Sequence, residues 1–333
     1  MKNIVVALTK DSASNFLSLP PSFNFKGYNI IVHRNPLVEF NGDLVCNFDL
    51  MIDFGQSEIC KLIPEKCISF PRINKTYQLF NLSKAAKSLG TSHIYIPKVY
   101  FNTDRSGCAK EYAGLSKHSH NISDENVVVK LEQGARGLGQ AVVPTNELNY
   151  FLDNCSSTVT ELIKKFPNVK FGQMKDAEVN FYEEQTFNTK HLCVMEYIDK
   201  IETEYRILFN GSSNILCVKR NIRESELGFR QANIILGEPV KNAKITSLKA
   251  ALTIEYDSDI AEVMVDELVG LLNKLDIIGS VDLFVKNGMI GIIEYCNQFG
   301  YYGYDLNTIR KFHQDCIVNY LMDKNLISQL YQE

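Results

Sequence analysis

The chain has 333 residues, 45% of them apolar, and a formal net charge of only −4. That length supports two or three compact units with sizeable cores. The balance excludes a strongly basic nucleic-acid surface and a disordered polyelectrolyte. No apolar stretch approaches the ~18 residues of a membrane span, so neither nucleic acid nor membrane is an expected partner. Nine cysteines are scattered without a C-x-x-C pair, a pattern of reduced thiols rather than of a disulfide framework or a zinc site. The opening run MKNIVVALTK is too short for a signal segment, and a cytoplasmic protein is expected.

Residues 1–72 alternate short apolar runs (IVVAL, YNIIVH, DLMIDF, CISF) with polar and proline-containing stretches, which predicts a small open α/β unit. Residues 74–89 read as a helix with Leu79, Phe80, Leu82, Ala85 and Leu89 on one stripe, stopped at Gly90. IYIPKVYF follows as one strand carrying Pro97. After the glycine-rich segment 127–143, Thr145 is a plausible cap for a helix through Leu148 and Phe151, and a second helix covers about 157–166. HLCVMEYI is an apolar strand that ends by exposing Glu196. TEYRILF and NILCVKR are strands joined at Asn210-Gly211, a dipeptide that favours a tight hairpin. Residues 259–274 form an amphipathic helix capped by Asp257, Ser258 or Asp259. Two strands around Lys286-Asn287-Gly288 and a closing helix complete the chain.

The segment VVVKLEQGARGLGQAVV, residues 127–143, combines Lys130 with Gly134, Gly137 and Gly139 between two apolar runs. Glycines let backbone N–H groups approach phosphate oxygens closely. Order and spacing exclude three familiar phosphate loops. A Walker loop ends in Gly-Lys-Ser/Thr before a helix, and Gly139 is followed by Gln140 and a strand. A dinucleotide fingerprint is G-x-G-x-x-G, whereas the spacing here is G-x-x-G-x-G. A protein kinase carries Asp-Phe-Gly far beyond its glycine loop, and here Asp53-Phe54-Gly55 precedes it. An ordinary hairpin with a flexible tip remains the plain alternative.

The second informative segment is GSVDLFVKNGMIGIIEYCN. A two-residue turn would set position 282 against 293 and send Asp282 and Glu294 to opposite faces. A three-residue loop with Gly288 in the left-handed region pairs 285 with 289 and 282 with 292, so that Asp282, Ile292 and Glu294 share a face. The expectation is the three-residue loop. Two carboxylates there suit a hard cation carrying nucleotide phosphates.

Taken in order, Lys75 on a helix, Lys130 before the glycine hairpin, a strand ending Glu196-Tyr197-Ile198, Glu204, Asp282 and Glu294 resemble the layout of the ATP-grasp superfamily. The resemblance covers roughly residues 73–310. It is nearest to carboxylate–amine ligases of the ribosomal-protein glutamate ligase type. NKTYQLFNLSKAAKSLG is similar to the segment opening that fold, EYRILFNG to an Asp-x-Arg strand, LGFRQANIILG to a Phe-Arg-x-Asn segment, and GSVDLF to Gly-Val-Asp-Leu. The implied fold is α+β, two subdomains clamping ATP after a pre-ATP-grasp domain. The implied units are residues 1–72, 73–126, 127–198 (the lid) and 199–333.

The resemblance implies that Lys75 and Lys130 contact the α- and β-phosphates, and that the loop Gln133 to Gly139, with Gly134, Arg136 and Gly137, closes over the β- and γ-phosphates. Glu196, Tyr197 and Ile198 would meet adenine, Glu204 the ribose hydroxyls. Lys219, Arg220 and Arg230 would meet the transferred phosphoryl or the acid substrate. Asp282, Glu294 and Asn297 would hold Mg²⁺, with Mn²⁺ as a substitute. The family pattern is Glu-x-Asn-x-x-x-Gly, but here Cys296 occupies the asparagine position and Asn297 follows it. Either a local bulge turns Asn297 inward, or the site runs with fewer protein ligands and more water, since a thiol is a poor Mg²⁺ ligand. The activity implied is ATP-dependent ligation of a carboxylate substrate to an amine acceptor through an acylphosphate, in a chain with room for homo-oligomerisation. A nucleotide-binding scaffold and a phosphotransferase are the rival readings.

Overall fold

The computed structural model describes residues 2–7, 22–25, 27–33, 48–53, 67–69, 74–102, 124–131, 140–155, 157–171, 192–199, 201, 203–211, 215–220, 222–224, 230–232 and 246–296. The first sheet comprises β1 (Lys2–Ala7), β2 (Ser22–Phe25), β3 (Tyr28–His33), β4 (Leu50–Asp53) and β5 (Cys67–Ser69), in the order β2-β3-β1-β4-β5. All pairings are parallel except that of β2 with β3. Its central strands are near-continuous apolar runs, Ile4, Val5 and Val6 beside Met51 and Ile52, all essentially without exposure, as parallel strands covered on both faces require.

Helix α1 (Lys75–Leu89) starts where Asn74 accepts the N–H of Tyr77 in its side chain, and stops at Gly90, whose φ of 66° lies in the left-handed region. Its buried face is Lys75, Thr76, Gln78, Leu79, Leu82, Ala85 and Ala86. Phe80 and Leu89, expected on the apolar stripe, are 38% and 44% exposed, while Lys75 and Gln78 lie on the buried face. Pro97 divides the expected single strand into β6 (Ile94–Tyr95) and β7 (Val99–Asn102), which enter different sheets. A residue without an N–H cannot continue a ladder.

The second sheet has the order β10-β9-β8-β11-β7 and is antiparallel throughout. It contains β7, β8 (Asn126–Leu131), β9 (Gln140–Pro144), β10 (Lys170–Phe171) and β11 (Leu192–Glu196). Between β9 and β10 lie a 3-10 turn (Thr145–Glu147), α2 (Leu148–Asp153) and α3 (Val159–Lys165). Thr145 does not cap a helix; its hydroxyl donates to the Asp124 carbonyl at 2.5 Å. The helix α2 has no side-chain cap, whereas α3 starts at Thr158, which forms a reciprocal pair with Glu161. Val127, Val129, Leu192 and Val194 pack with Phe151, Phe166 and Phe171 on the helix side of this sheet.

The third sheet, of order β16-β13-β12-β17-β18-β6, carries β12 (Thr203–Phe209), β13 (Leu216–Arg220), β16 (Thr246–Ser247), β17 (Gly279–Lys286) and β18 (Met289–Cys296). A separate two-stranded ribbon pairs β14 (Ile222–Glu224) with β15 (Arg230–Ala232). The β12–β13 connection is not a tight two-residue hairpin. The innermost registered pair is Leu208 with Leu216, and Gly211 supplies a φ of 87° within the longer loop. Helices α4 (Leu248–Leu252) and α5 (Ser258–Lys274) join α1 over one face, where Leu268, Leu271, Val281, Leu283 and Ile292 are buried. Asp257 precedes α5 as the cap residue but makes no side-chain cap bond. The same core takes in Val128, Val142, Cys193 and Met195 from the second sheet. The expected closing helix lies outside the described residues.

Candidate functional site

The hairpin β17–β18 turns through two residues, not three. Asn287 and Gly288 have φ of 52° and 71°, both positive, as the turn that matches strand twist requires, and Lys286 pairs with Met289. The register then shifts by one: Leu283 faces Ile292, but Asp282 faces Glu294. Ile293 is the extra residue of a β-bulge. Asp282 and Glu294 therefore do share a face, through a bulge rather than a longer loop. Ile292, expected beside them, points into the core opposite Leu283.

On β12, Arg206 stands directly across from Asp282. Its Nε donates to Oδ1 at 2.7 Å and its Nη2 to Oδ2 at 2.8 Å, a bidentate pair of the strong, charge-assisted kind. Glu204, two residues earlier, lies on the same face and is buried. Strand alternation along Glu204-Tyr205-Arg206 carries that signal in the sequence, but sequence reasoning assigned Arg206 no role. Its partner comes from a strand far along the chain.

Lys75 opens α1 beside this row. Its Nζ lies 3.8 Å from Glu294 Oε2. A cation in a helix's first turn opposes the macrodipole, at a cost of about 0.3–1 kcal/mol; Glu294 offsets it. One turn on, Gln78 Oε1 accepts the backbone N–H of Tyr295 at 3.2 Å, docking α1 on β18. Gln78 was also missed, although its i+3 spacing from Lys75 puts both on one helix face.

Lys130 reaches the same place from the second sheet. Val127 and Val129 face the helices of that sheet, so Val128 and Lys130 face the other way. Burial lowers the Lys130 pKa; the Glu294 charge pulls it up and Lys75 pushes it further down, with Cys193 and Glu204 lesser influences. These mutual influences gather Lys75, Lys130, Glu204 and Glu294 in one locality.

Glu196 ends β11 with its carboxylate engaged. Tyr95 Oη donates to Oε1, and the Lys98 N–H donates to Oε2 at 3.0 Å. Burial, then the bond to Glu196, raises the Tyr95 pKa. Tyr95 packs edge-on against Phe284 at 6.1 Å between ring centroids, and the Phe284 ring lies where a Cβ on Gly291 would be. Tyr197 and Ile198 follow Glu196, both half-buried.

Of the other expected residues, one is turned away from this face. Lys219 pairs with Tyr205 in the register, on the face opposite Glu204, and its Nζ lies 3.6 Å from Glu255. Arg220 stands across from Glu204, and Arg230 across from Glu224 in the β14–β15 ribbon. Cys296 pairs with Ser280. Gln133, Gly134, Arg136, Gly137, Gly139 and Asn297 lie outside the described residues.

No group of three or more His, Cys, Asp or Glu gathers as a metal cage among the described residues. Two opposed carboxylates provide hard oxygen donors, and a cation held there must take its remaining ligands from phosphate or water. That donor set fits Mg²⁺ or Mn²⁺.

Three sheets in this connection, with a lysine from the second and a carboxylate hairpin from the third meeting between them, define an α+β ATP-grasp fold. D-alanine–D-alanine ligase from Bacillus anthracis has this fold, with a TM-score of 0.50, 12% identity, and alignment over 98% of this chain and 99% of that one. The same enzyme complexed with ATP scores 0.49 at 11% identity over the same shares. N5-carboxyaminoimidazole ribonucleotide synthetase from Thermotoga maritima scores 0.48 at 13% identity, over 95% of this chain and 76% of that one. No protein-family model matches the sequence. No curated protein matches it either. No described helix is long and apolar enough to cross a membrane.

Proposed function

We propose that this chain is an ATP- and Mg²⁺-dependent carboxylate–amine ligase acting through an acylphosphate, joining an amino acid or amine to a small molecule, peptide or protein. The observation that carries the reading is the convergence of Lys75, Lys130 and Glu294 from one helix and two sheets, beside Asp282, in an ATP-grasp fold. A scaffold that only bound nucleotide would not require buried lysines and opposed carboxylates together. In this reading residues 1–72 help select substrate, and residues 73–126, 127–198 and 199–333 form the clamp.

Lys75 and Lys130 bind the α- and β-phosphates as point charges, and residues Gln133 to Gly139 cover the β- and γ-phosphates. The segment Glu196 to Ile198 meets adenine, and Glu204 takes the ribose hydroxyls. Asp282 and Glu294, with Asn297, would hold Mg²⁺, which when bound neutralises charge on the phosphates. A substrate carboxylate oxygen attacks the γ-phosphorus; the bond to the bridging oxygen breaks and ADP leaves. The amine nitrogen then attacks the acyl carbon, the bond to the phosphate oxygen breaks, and phosphate departs while the amine loses its proton to solvent. Arg220 and Arg230 would meet the phosphoryl or acid group. Lys219 is set aside because it serves the opposite sheet face. The protein's task is positioning, charge stabilisation and exclusion of water from the acylphosphate.

ADP and phosphate release, screened with amino acids and peptides as acceptors, tests the reading. Asp282→Asn combined with Glu294→Gln should lower turnover by about 10²–10³-fold or more, the scale of losing preorganised charge stabilisation. Unchanged turnover removes the metal assignment. Nucleotide binding without turnover on any acceptor points to the scaffold.

A further inference from the structure

We propose that Arg206 is a positioning residue that withholds Asp282 from a divalent cation until nucleotide is bound. The inference rests on the metal reading above. Each Asp282 oxygen accepts one guanidinium N–H, at 2.7 and 2.8 Å. The side chains are 20% and 9% exposed, so the pair is shielded from water and from salt. Glu294 is likewise compensated, by Lys75 at 3.8 Å and by the charge of Lys130. Among the described residues the locality thus sets Glu204, Asp282 and Glu294 against Lys75, Lys130 and Arg206, with no surplus of negative charge to attract a lone cation.

A divalent ion entering alone must compete with a guanidinium for Asp282 and meets three like charges nearby. A polyphosphate changes that balance. Its oxygens offer Arg206 and the lysines new acceptors, and its negative charge lets Asp282 turn a lone pair to the metal. Metal and nucleotide then bind as coupled ligands, each raising the other's affinity by the same factor.

Stapling β12 to β17 is not a sufficient role for the ion pair. Those strands are already registered along seven pairs, from Thr203 with Val285 to Phe209 with Gly279. A pure staple would also leave metal affinity indifferent to the residue at 206. Sheet geometry fixes Arg206 opposite Asp282, and the planar fork fixes the carboxylate plane; a lysine offers one charge without the fork.

The test measures Mn²⁺ binding to the full chain by electron paramagnetic resonance, with and without a non-hydrolysable ATP analogue. Wild type should bind Mn²⁺ weakly alone and at least ~10-fold more tightly with the analogue. Arg206→Met removes the guanidinium that competes for Asp282, so Mn²⁺ alone should bind about 10-fold more tightly than to wild type, and the coupling to nucleotide should shrink by that factor. The double change Arg206→Met with Asp282→Asn should return affinity to the wild-type level. Arg206→Lys keeps the charge and should be intermediate, about 3-fold tighter; it carries the test if Arg206→Met does not fold. Mn²⁺ uptake that requires nucleotide but ignores residue 206 overturns this proposal and leaves the metal reading standing. No uptake by wild type even with bound analogue overturns both.

Discussion

Lys75 and Glu294 meet at 3.8 Å, one from the first turn of α1 and the other from the last stretch of β18. Neither element holds its charge comfortably alone. The helix start disfavours a cation, and a carboxylate in an apolar hairpin needs a partner. Their meeting is secured by Gln78, which takes the Tyr295 N–H at 3.2 Å and so sets where α1 lies along the strand. The third charge, Lys130, arrives from a different sheet and is the most deeply buried of the set, at 6% exposed.

Lys130→Met should separate function from stability. The substitution keeps the length of the side chain and removes a charge whose pKa burial already lowers. Its melting temperature should stay level or rise, because the desolvation cost disappears. Nucleotide affinity, measured by calorimetry, should fall about 10-fold or more, on the order of one charge-assisted phosphate contact. A fall in stability with unchanged nucleotide affinity would make Lys130 a structural residue.

Gly291→Ala should be destabilising although the site is in a regular strand. An added Cβ would overlap the ring of Phe284, which is itself 2% exposed and wedged against Tyr95. Overpacking of this kind costs about 1–3 kcal/mol, readable by urea denaturation. Adding Phe284→Leu should recover part of the loss, a non-additive pair.

Glu267 ties α5 to the residues just before β6 and should make stability depend on acid. Its carboxylate accepts the N–H groups of Ser92 and His93 at 3.0 and 2.7 Å, and the Ser92 hydroxyl at 3.0 Å. Burial pushes its pKa up, but the bonds from His93 and Ser92 outweigh that and hold it below the ordinary value. A lowered folded-state pKa contributes stability that is whole above the unfolded value of about 4.3 and is lost as pH falls through the lower, folded value. Glu267→Gln should cost about 1–2 kcal/mol at neutral pH, and its denaturation curve should change less than wild type's on passing below pH ~4.

Cys155 and Cys217 should be inert in the native state. Burial pushes each thiol up to about 12, with the Asp153 charge adding to the effect at Cys155, and neither is exposed. A thiolate is the reactive species. Ellman's reagent at pH 8 should label both only as fast as the protein opens, and rapidly in denaturant; prompt native labelling would contradict their burial.

Much of the fold was legible because it follows from neighbours in the chain. Asn74 and Gly90 bracket α1 by their own capping chemistry. Alternation along Val127 to Lys130 separates a lysine from a valine face. The same rule shows that adjacent Lys219 and Arg220 cannot both serve one sheet face, which the sequence reading passed over. IYIPKVYF reads as one strand despite Pro97, whereas the chain breaks there and changes sheet.

By itself the sequence determined the longer strands, the helices at 75–89 and 258–274 and the ordered lysines and carboxylates, since local periodicity and backbone propensity act over a few residues. Only tertiary structure decided that Ile293 bulges, so that Asp282 and Glu294 face each other across a two-residue turn. It likewise decided that Arg206 grips Asp282 and that Lys219 turns to Glu255. Register and ion pairing depend on which distant strands lie side by side, and that is settled by burial of the whole core.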